Sequence, residues 1–276
     1  MSQKNGISRR GFLAGSTLAA VGATTGFSGL FGMTVARAQA AGDDVQTIIN
    51  VAATAEAFAV THYHRALQKT TKAPFKDSDR AYLQAALETE QAHFDFLVAN
   101  GAKPVATSFF FPAGTFDSLK SFGTVTSIGE YVFIGAYVAA SYRFAQLGLA
   151  ALSAVSTQVA VVEGQHLAFV NGLAGIFPNN LALAAPLLAN VSDAVAIVQP
   201  LLDGKKGALG DMETSSVAQP GADEVKKTVG KSNLIAKLGA PFDGLKAPYT
   251  TVIEPFTAVV AAMAGPAATM AATKSG

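Results

Sequence analysis

The sequence predicts an all-α protein. Its expected centre is an antiparallel four-helix bundle with a long crossover between the second and third helices, followed by an irregular, short-helical C-terminal extension. Three observations lead there. Four long runs between Asp44 and Phe177 carry apolar residues at helical spacing. Turn signals separate most of them: Thr70 to Asp79 with Pro74 inside it, Asn100-Gly101 followed by Pro104, and Phe177-Pro178 at the end. Finally, each run places a Glu on its apolar face, and two of these are followed by a His three residues later.

The first helix is expected from about Asp44 to Gln68, with Asp43 or Asp44 as its cap. Glu56 lies on its apolar stripe, and Tyr63 lies two turns further along the same face. The second helix is expected from a cap at Asp77 or Ser78 to about Ala99. It contains Glu90-x-x-His93 on a face shared with Leu83, Ala86, Leu87, Phe94 and Leu97. Residues 101 to 115 read as extended crossover, with Phe109 to Pro112 apolar enough to lie on the bundle surface. A third helix, capped by Thr115 or Asp117, carries Glu130, Tyr137 and Phe144 at seven-residue intervals. A competing reading makes Ser127-x-x-Glu130 a capping box, which would place Glu130 at a helix start. The turn to the fourth helix is weakly marked and is placed at Gln146 to Gly148. The fourth helix carries Glu163-x-x-His166 among Val159, Val162, Phe169, Val170 and Leu173. Beyond Pro178, short helical pieces are expected near 181–199, 223–238 and 252–264, with 204–221 as loop. This extension (178–276) is expected to pack on the bundle (44–177) or at an oligomer interface.

Burying carboxylates and imidazoles on apolar faces is unfavourable unless something pairs with them. The intervals between the four Glu, 34, 40 and 33 residues, let paired helices bring them to one height. With roughly 8–10 loop residues, an interval of 34 leaves about 12 residues per arm, or ~18 Å. The candidate metal ligands are therefore Glu56, Glu90, His93, Glu130, Glu163 and His166. Glu90 and Glu163 would bridge two ions, Glu56 and Glu130 would each bind one, and His93 and His166 would complete one ion each. Two of the four His in the chain follow a Glu by three, a spacing that chance rarely repeats. Tyr63 and Tyr137 are either core residues or partners that orient the ligands. Glu88 falls on the opposite side of its helix and is expected to face solvent. His62 and His64 point away from the Glu56 direction and are expected to be solvated or to sit outside the ligand set.

Zero Cys excludes disulfides, thiolate zinc sites and iron–sulfur clusters, so a metal must be held by Glu, Asp or His. Those donors suit iron and manganese. The net charge of +1 gives no nucleic-acid signal. Residues 1–40 read as a leader. Ser8-Arg9-Arg10-Gly11-Phe12-Leu13 resembles the twin-arginine export motif, and small-x-small cleavage sites occur at Ala36-Arg37-Ala38 and Ala38-Gln39-Ala40. Gly15, Gly22, Gly26 and Gly29 argue against a membrane anchor. A periplasmic or secreted location and the twin-arginine translocase as export partner follow as expectations.

Four stretches, Glu56 to Leu67, Ala85 to Leu97, Glu130 to Tyr137 and Val162 to Phe169, resemble the ferritin-like superfamily. They resemble in particular the ferritin-like domain proteins that include the desiccation-related group. The resemblance covers about residues 44–177. It implies a four-helix bundle holding two iron or manganese ions, with all six ligand positions filled here. Oxidation of Fe(II) or removal of peroxide in stress protection is the implied reaction class, with dioxygen or peroxide as partner. Two other readings stay open: a non-catalytic stress or envelope protein with a structural metal, and a manganese catalase-like enzyme. The long extension departs from cage ferritins, so a homo-oligomer smaller than a 24-subunit cage is expected.

Overall fold

The structure is a computed structural model that describes residues 42–177, 188–207, 209–232 and 234. Among these residues it contains six α-helices and one two-stranded sheet. Helix α1 (Val45–Ala66) starts at Asp44, whose carboxylate accepts the Thr47 N–H at 2.7 Å. Helix α2 (Asp77–Ala99) begins one residue earlier than its Asp77 or Ser78 cap would allow, with the Asp79 carboxylate accepting the Lys76 N–H at 3.0 Å. Helix α3 (Leu119–Gln146) is capped by Ser118, which accepts the Ser121 N–H at 3.0 Å. This settles the alternative for Glu130. The residue lies in the middle of α3, and the Ser127 hydroxyl bonds the Gly123 carbonyl at 2.6 Å and the Asn171 side chain at 2.7 Å instead of capping anything. Leu147-Gly148-Leu149 turns the chain into α4 (Ala150–Ala174), with Gly148 at φ 74°.

Helices α1 and α2 pair as one hairpin, and α3 and α4 as the other. Tyr63 of α1 bonds Glu130 of α3, while Glu56 of α1 is bonded by Tyr137 of α3. Numbers rise along one helix as they fall along the other, so α1 and α3 are antiparallel. That direction requires the crossover from 100 to 118 to travel back along the bundle.

The crossover is better buried than its sequence implies. Phe109 and Phe111 are fully covered and pack on Phe58, with ring centroids 5.6 and 5.4 Å away. Strand β1 (Ser108–Phe109) pairs antiparallel with β2 (Val217–Ala218), placing a short strand inside the expected loop 204–221. Arg65 forks onto Glu213 at 2.6 and 2.8 Å, and its guanidinium lies over the Phe111 and Phe116 rings. The extension therefore straps the crossover onto the bundle. Helix α5 (Asp193–Asp203) covers the groove between α1 and α3, and α6 (Ala222–Val229) packs on α2, where Gln84 donates to the Thr228 carbonyl at 3.0 Å. The leader, the expected helix near 252–264 and the outer parts of the other two expected pieces lie outside the described residues.

Gly123 sets how closely α3 approaches α4. A Cβ there would meet the Val170 carbonyl oxygen at 2.5 Å and the Ala174 nitrogen at 2.8 Å, both backbone atoms that cannot rotate away. Gly123→Ala should cost about 1–3 kcal/mol in urea unfolding by forcing the helices apart. Gly129→Ala, on the same helix with nothing within 4 Å, should instead stabilise by about 0.5–1 kcal/mol. Equal effects of the two changes would contradict this packing.

Candidate metal centre

Six ionisable side chains meet in the bundle core. Each helix contributes from its middle, away from the bundle surface. Glu56, Glu90 and Glu163 are 0% exposed, and Glu130, His93 and His166 are nearly as well buried. Helical spacing does the local work: Glu and His three apart share one face, so each Glu-x-x-His pair turns both groups inward.

The six divide into two overlapping groups. Glu56, Glu90, His93 and Glu163 each offer an atom within 4.8 Å of the others, and so do Glu90, Glu130, Glu163 and His166. Glu90 and Glu163 belong to both. The structure thus brings together all six residues singled out in the sequence, with one lone Glu and one His in each group beside the shared pair.

The contacts within the groups are close but poorly satisfied. Nδ1 of His93 stands 3.3 Å from Glu90 Oε2, 3.3 Å from Glu163 Oε1 and 3.5 Å from Glu56 Oε2, yet hydrogen-bonds none of them. Nδ1 of His166 bonds Glu163 Oε2 at 3.1 Å, while Glu90 Oε1, nearer at 2.9 Å, lies off the line of a hydrogen bond. Buried oxygens of Glu56, Glu90, Glu130 and Glu163 have no hydrogen-bond partner. Buried polar atoms are nearly always paired, and a bound cation is one partner that this cluster of orphans could take. The donors also fit one. Ligands about 2.1 Å from a common ion lie about 3.0–3.4 Å from one another, a range that holds the His93 contacts to Glu90 and Glu163, both 3.3 Å, with Glu56 just beyond it at 3.5 Å. Carboxylate and imidazole donors without thiolate suit iron or manganese.

Electrostatics tell the same story. Burial pushes the Glu56 carboxyl well up; His93 offsets this in part, and Glu90 and Glu163 add to it by repulsion. Burial likewise raises Glu130, with Glu163 repelling it. Burial acts to raise Glu90 too, but His166 and His93 outweigh it and hold the carboxyl well below its ordinary value. Burial should lower both imidazoles, yet the carboxylates beside them raise both, chiefly Glu56 for His93 and Glu90 for His166. Without a metal, protons on the histidines and on some carboxyls must hold the cluster together.

The two tyrosines hold the outer carboxylates, but crosswise. Tyr63 donates to Glu130 Oε1 at 2.6 Å, and Tyr137 donates to Glu56 Oε1. Each therefore serves the Glu on the opposite helix rather than the Glu seven residues before it on its own. Burial raises both phenols well above their usual range, with Glu130 and Glu56 respectively adding to the shift, so both stay protonated donors.

Other expectations need correction. His62 is not solvated. It is 2% exposed and caged by Phe58, Phe111, Phe116 and Phe122, the last stacked at 5.0 Å. The Thr126 hydroxyl donates to the Phe122 carbonyl, so it accepts from His62 Nε2 at 2.8 Å. Nδ1 of His62 is then an unpartnered lone pair. His64 is half-buried beside Gln68, outside the cluster. Glu88 is partly exposed and, as expected for a residue away from the cluster, lies outside both groups. Thr89 escaped sequence reasoning. Its hydroxyl stands 3.3 Å from His166 Nε2, where it can hold the outer ring nitrogen and leave Nδ1 to face the carboxylates. Nothing in the pattern around Thr89 marks it out except its place between Glu88 and Glu90.

Residues 43–175 match the ferritin-like domain family. The match spans all four bundle helices and contains every one of the six clustered residues. No curated protein and no solved structure gives a significant match to the chain. Both overlapping groups of clustered residues lie within the matched segment.

Burial lowers the His62 imidazole to about 3, and Arg65 adds to the effect. An unfolded His62 gains its proton as pH falls through 6.5, whereas the folded one stays neutral until about 3. The stabilisation is complete above pH 6.5 and is lost as pH falls towards 3. Between pH 7 and 5 it amounts to about 2 kcal/mol. His62→Phe should therefore gain about that much relative to the wild-type chain on acidification, read as the change in the stability gap between pH 7 and 5 by urea titration. A gap that stays constant would mean that His62 titrates normally.

Proposed function

We propose that the ferritin-like domain holds two iron or manganese ions and that the protein is an exported oxidoreductase of the di-metal carboxylate class. The observation that carries this is the orphaned set of carboxylate oxygens around two inward-facing imidazole Nδ1 atoms. Glu56, Glu90, His93 and Glu163 would hold one ion and Glu90, Glu130, Glu163 and His166 the other. The metal pair, when bound, supplies redox and Lewis-acid chemistry, with oxidation of Fe(II) or consumption of peroxide as the reaction class. The chain's own residues set the conditions. Glu90 and Glu163 offset the repulsion between two cations. Tyr63 and Tyr137 keep a proton on their phenol oxygens and fix Glu130 and Glu56. The apolar helix faces exclude water, which strengthens each of these interactions. Both Nδ1 atoms must lose their protons to ligate, so binding should release protons and weaken at low pH.

The leader motif supports export through the twin-arginine pathway to the periplasm or beyond, and the resemblance to the desiccation-related group supports a role in stress protection. A second reading, a metal that only stabilises the bundle, draws support from the complete burial of the cluster.

Elemental analysis after anaerobic loading with Fe(II) or Mn(II) tests the site. Two ions per chain are expected, with loss to below one in Glu90→Gln/Glu163→Gln and no loss in His62→Phe. Fewer than one ion in the wild-type chain would sink the reading. Two ions with no reaction towards dioxygen or peroxide would favour the structural role, and rapid oxygen release from peroxide by the manganese form would favour a catalase-like enzyme.

A further inference from the structure

Charge is spread unevenly over the bundle. Helix α2 carries six charged residues in 23: Asp77, Asp79, Arg80, Glu88, Glu90 and Asp95. From 121 to 192, by contrast, only Glu130, Arg143 and Glu163 are charged. Both glutamates are buried in the cluster, and Arg143 is half-buried, donating to the Asp43 carbonyl at 2.8 Å. Beyond Lys120 at its edge, the outer side of the α3–α4 hairpin is therefore uncharged.

What this side shows instead is apolar. Ile128, Val138 and Tyr142 fall on one stripe of α3, and Tyr142 is 65% exposed. On α4, Val161 is 59% exposed, on a stripe it shares with the small residues Ala150, Ala154 and Gly172. Antiparallel packing sets the two stripes side by side. The Ser141 and Thr157 hydroxyls meet across the seam at 2.9 Å, and Val138 and Val161 each lie one turn further along it in the same direction. The Thr157 hydroxyl also donates to the Ser153 carbonyl at 3.0 Å. These polar groups of the seam thus have partners within the hairpin, and covering them would strand none.

The described part of the extension lies elsewhere, α5 on the groove between α1 and α3 and α6 on α2. Helices of 28 and 25 residues are about 40 Å long, and two of them packed side by side present a face roughly 20 Å wide. The product, about 800 Å², is what each partner contributes to a stable interface. A monomer rarely leaves so wide an uncharged, apolar side to water.

We infer that this face docks a second copy of the chain in a twofold-symmetric dimer. In such a dimer the same patch meets itself, so any charge on it would meet its own sign; this patch has none to repel. A partner with a charged surface would lose hydration there and gain no ion pair. Tyr142 and the exposed valines supply the apolar contact, and the tyrosine hydroxyl can stay wet at the rim. None of the six clustered residues takes part, so the inference stands apart from the metal reading.

Sedimentation equilibrium of the full chain tests this. At roughly 100 µM it should run as a dimer. Val138→Lys/Val161→Lys, or Tyr142→Lys should the first not fold, should raise the dissociation constant by at least about a hundredfold. Val98→Lys, at an exposed apolar position on α2, should leave it unchanged. The chain has no Cys, so a nitroxide on Val161→Cys reports from one site alone; it should show dipolar coupling between the two copies that Val138→Lys abolishes. A wild-type monomer, or a dimer that survives these lysines, overturns the proposal. So does a monomer that dimerises only once residues 235–276 are removed, which would mean that the chain covers this face itself. A monomer that floats with phosphatidylcholine vesicles through Val138 and Val161 overturns it too, in favour of a lipid surface.

Discussion

Four carboxylates buried together constrain everything else in this protein. Like charges a few ångströms apart in a low-dielectric core repel strongly, and removing each from water costs several kcal/mol more. Among the described residues no Lys or Arg joins the cluster; the positive charge within it comes from His93 and His166. Two imidazolium groups balance at most two of the four carboxylates, and the rest must keep protons or meet cations. The raised carboxyls of Glu56 and Glu130 and the orphaned oxygens of all four glutamates express the same deficit. Two divalent ions offset four negative charges and allow both imidazoles to be neutral ligands. Without cations the cluster is thus a compromise, and two divalent ions would close it electrically.

The antiparallel order of α1 and α3 makes that closure symmetric. Glu56 faces Tyr137 and Glu130 faces Tyr63, so each lone Glu is fixed by a phenol from across the bundle rather than from its own helix. A tyrosine seven residues further along the same helix sits about 10 Å up the axis, too far to reach its own Glu. With α1 and α3 running in opposite directions, the same spacing brings each tyrosine level with the opposite Glu. The crossover, strapped down by β2 and by the Arg65–Glu213 fork, is what permits that direction.

Periodicity and spacing made the bundle and the cluster legible. Glu90-x-x-His93 and Glu163-x-x-His166 reveal themselves because helical geometry converts a spacing of three into a shared face, and the intervals between the four Glu convert hairpin geometry into a shared height. What depended on non-local contacts was not legible. The seven-residue spacing placed Tyr63 and Tyr137 near the site but could not assign their partners, because that assignment needs the direction of α3. His62 looked solvated because the Phe109–Phe111 segment that covers it is distant in sequence and reads as surface. The position of Glu130 was ambiguous for a local reason: Ser127 has the side chain of a cap, and only its bonds to Gly123 and Asn171 reveal that it sits inside α3.

The near-symmetry of the cluster breaks in its surroundings, and the break gives the site a direction. Around His166, Thr89 holds the outer nitrogen and the rings of Tyr63 and Tyr82 close in at 5.8 and 6.4 Å. Beyond them His62 and its phenylalanine cage fill the space between α1, α3 and the crossover. Around His93 the packing is thinner: its Nδ1 lacks a hydrogen bond, a cavity borders the ring, and alanines on α1 and α3 leave room that α5 only roofs over. A bundle that needed only to bury its ligands would gain stability by filling that space with larger side chains.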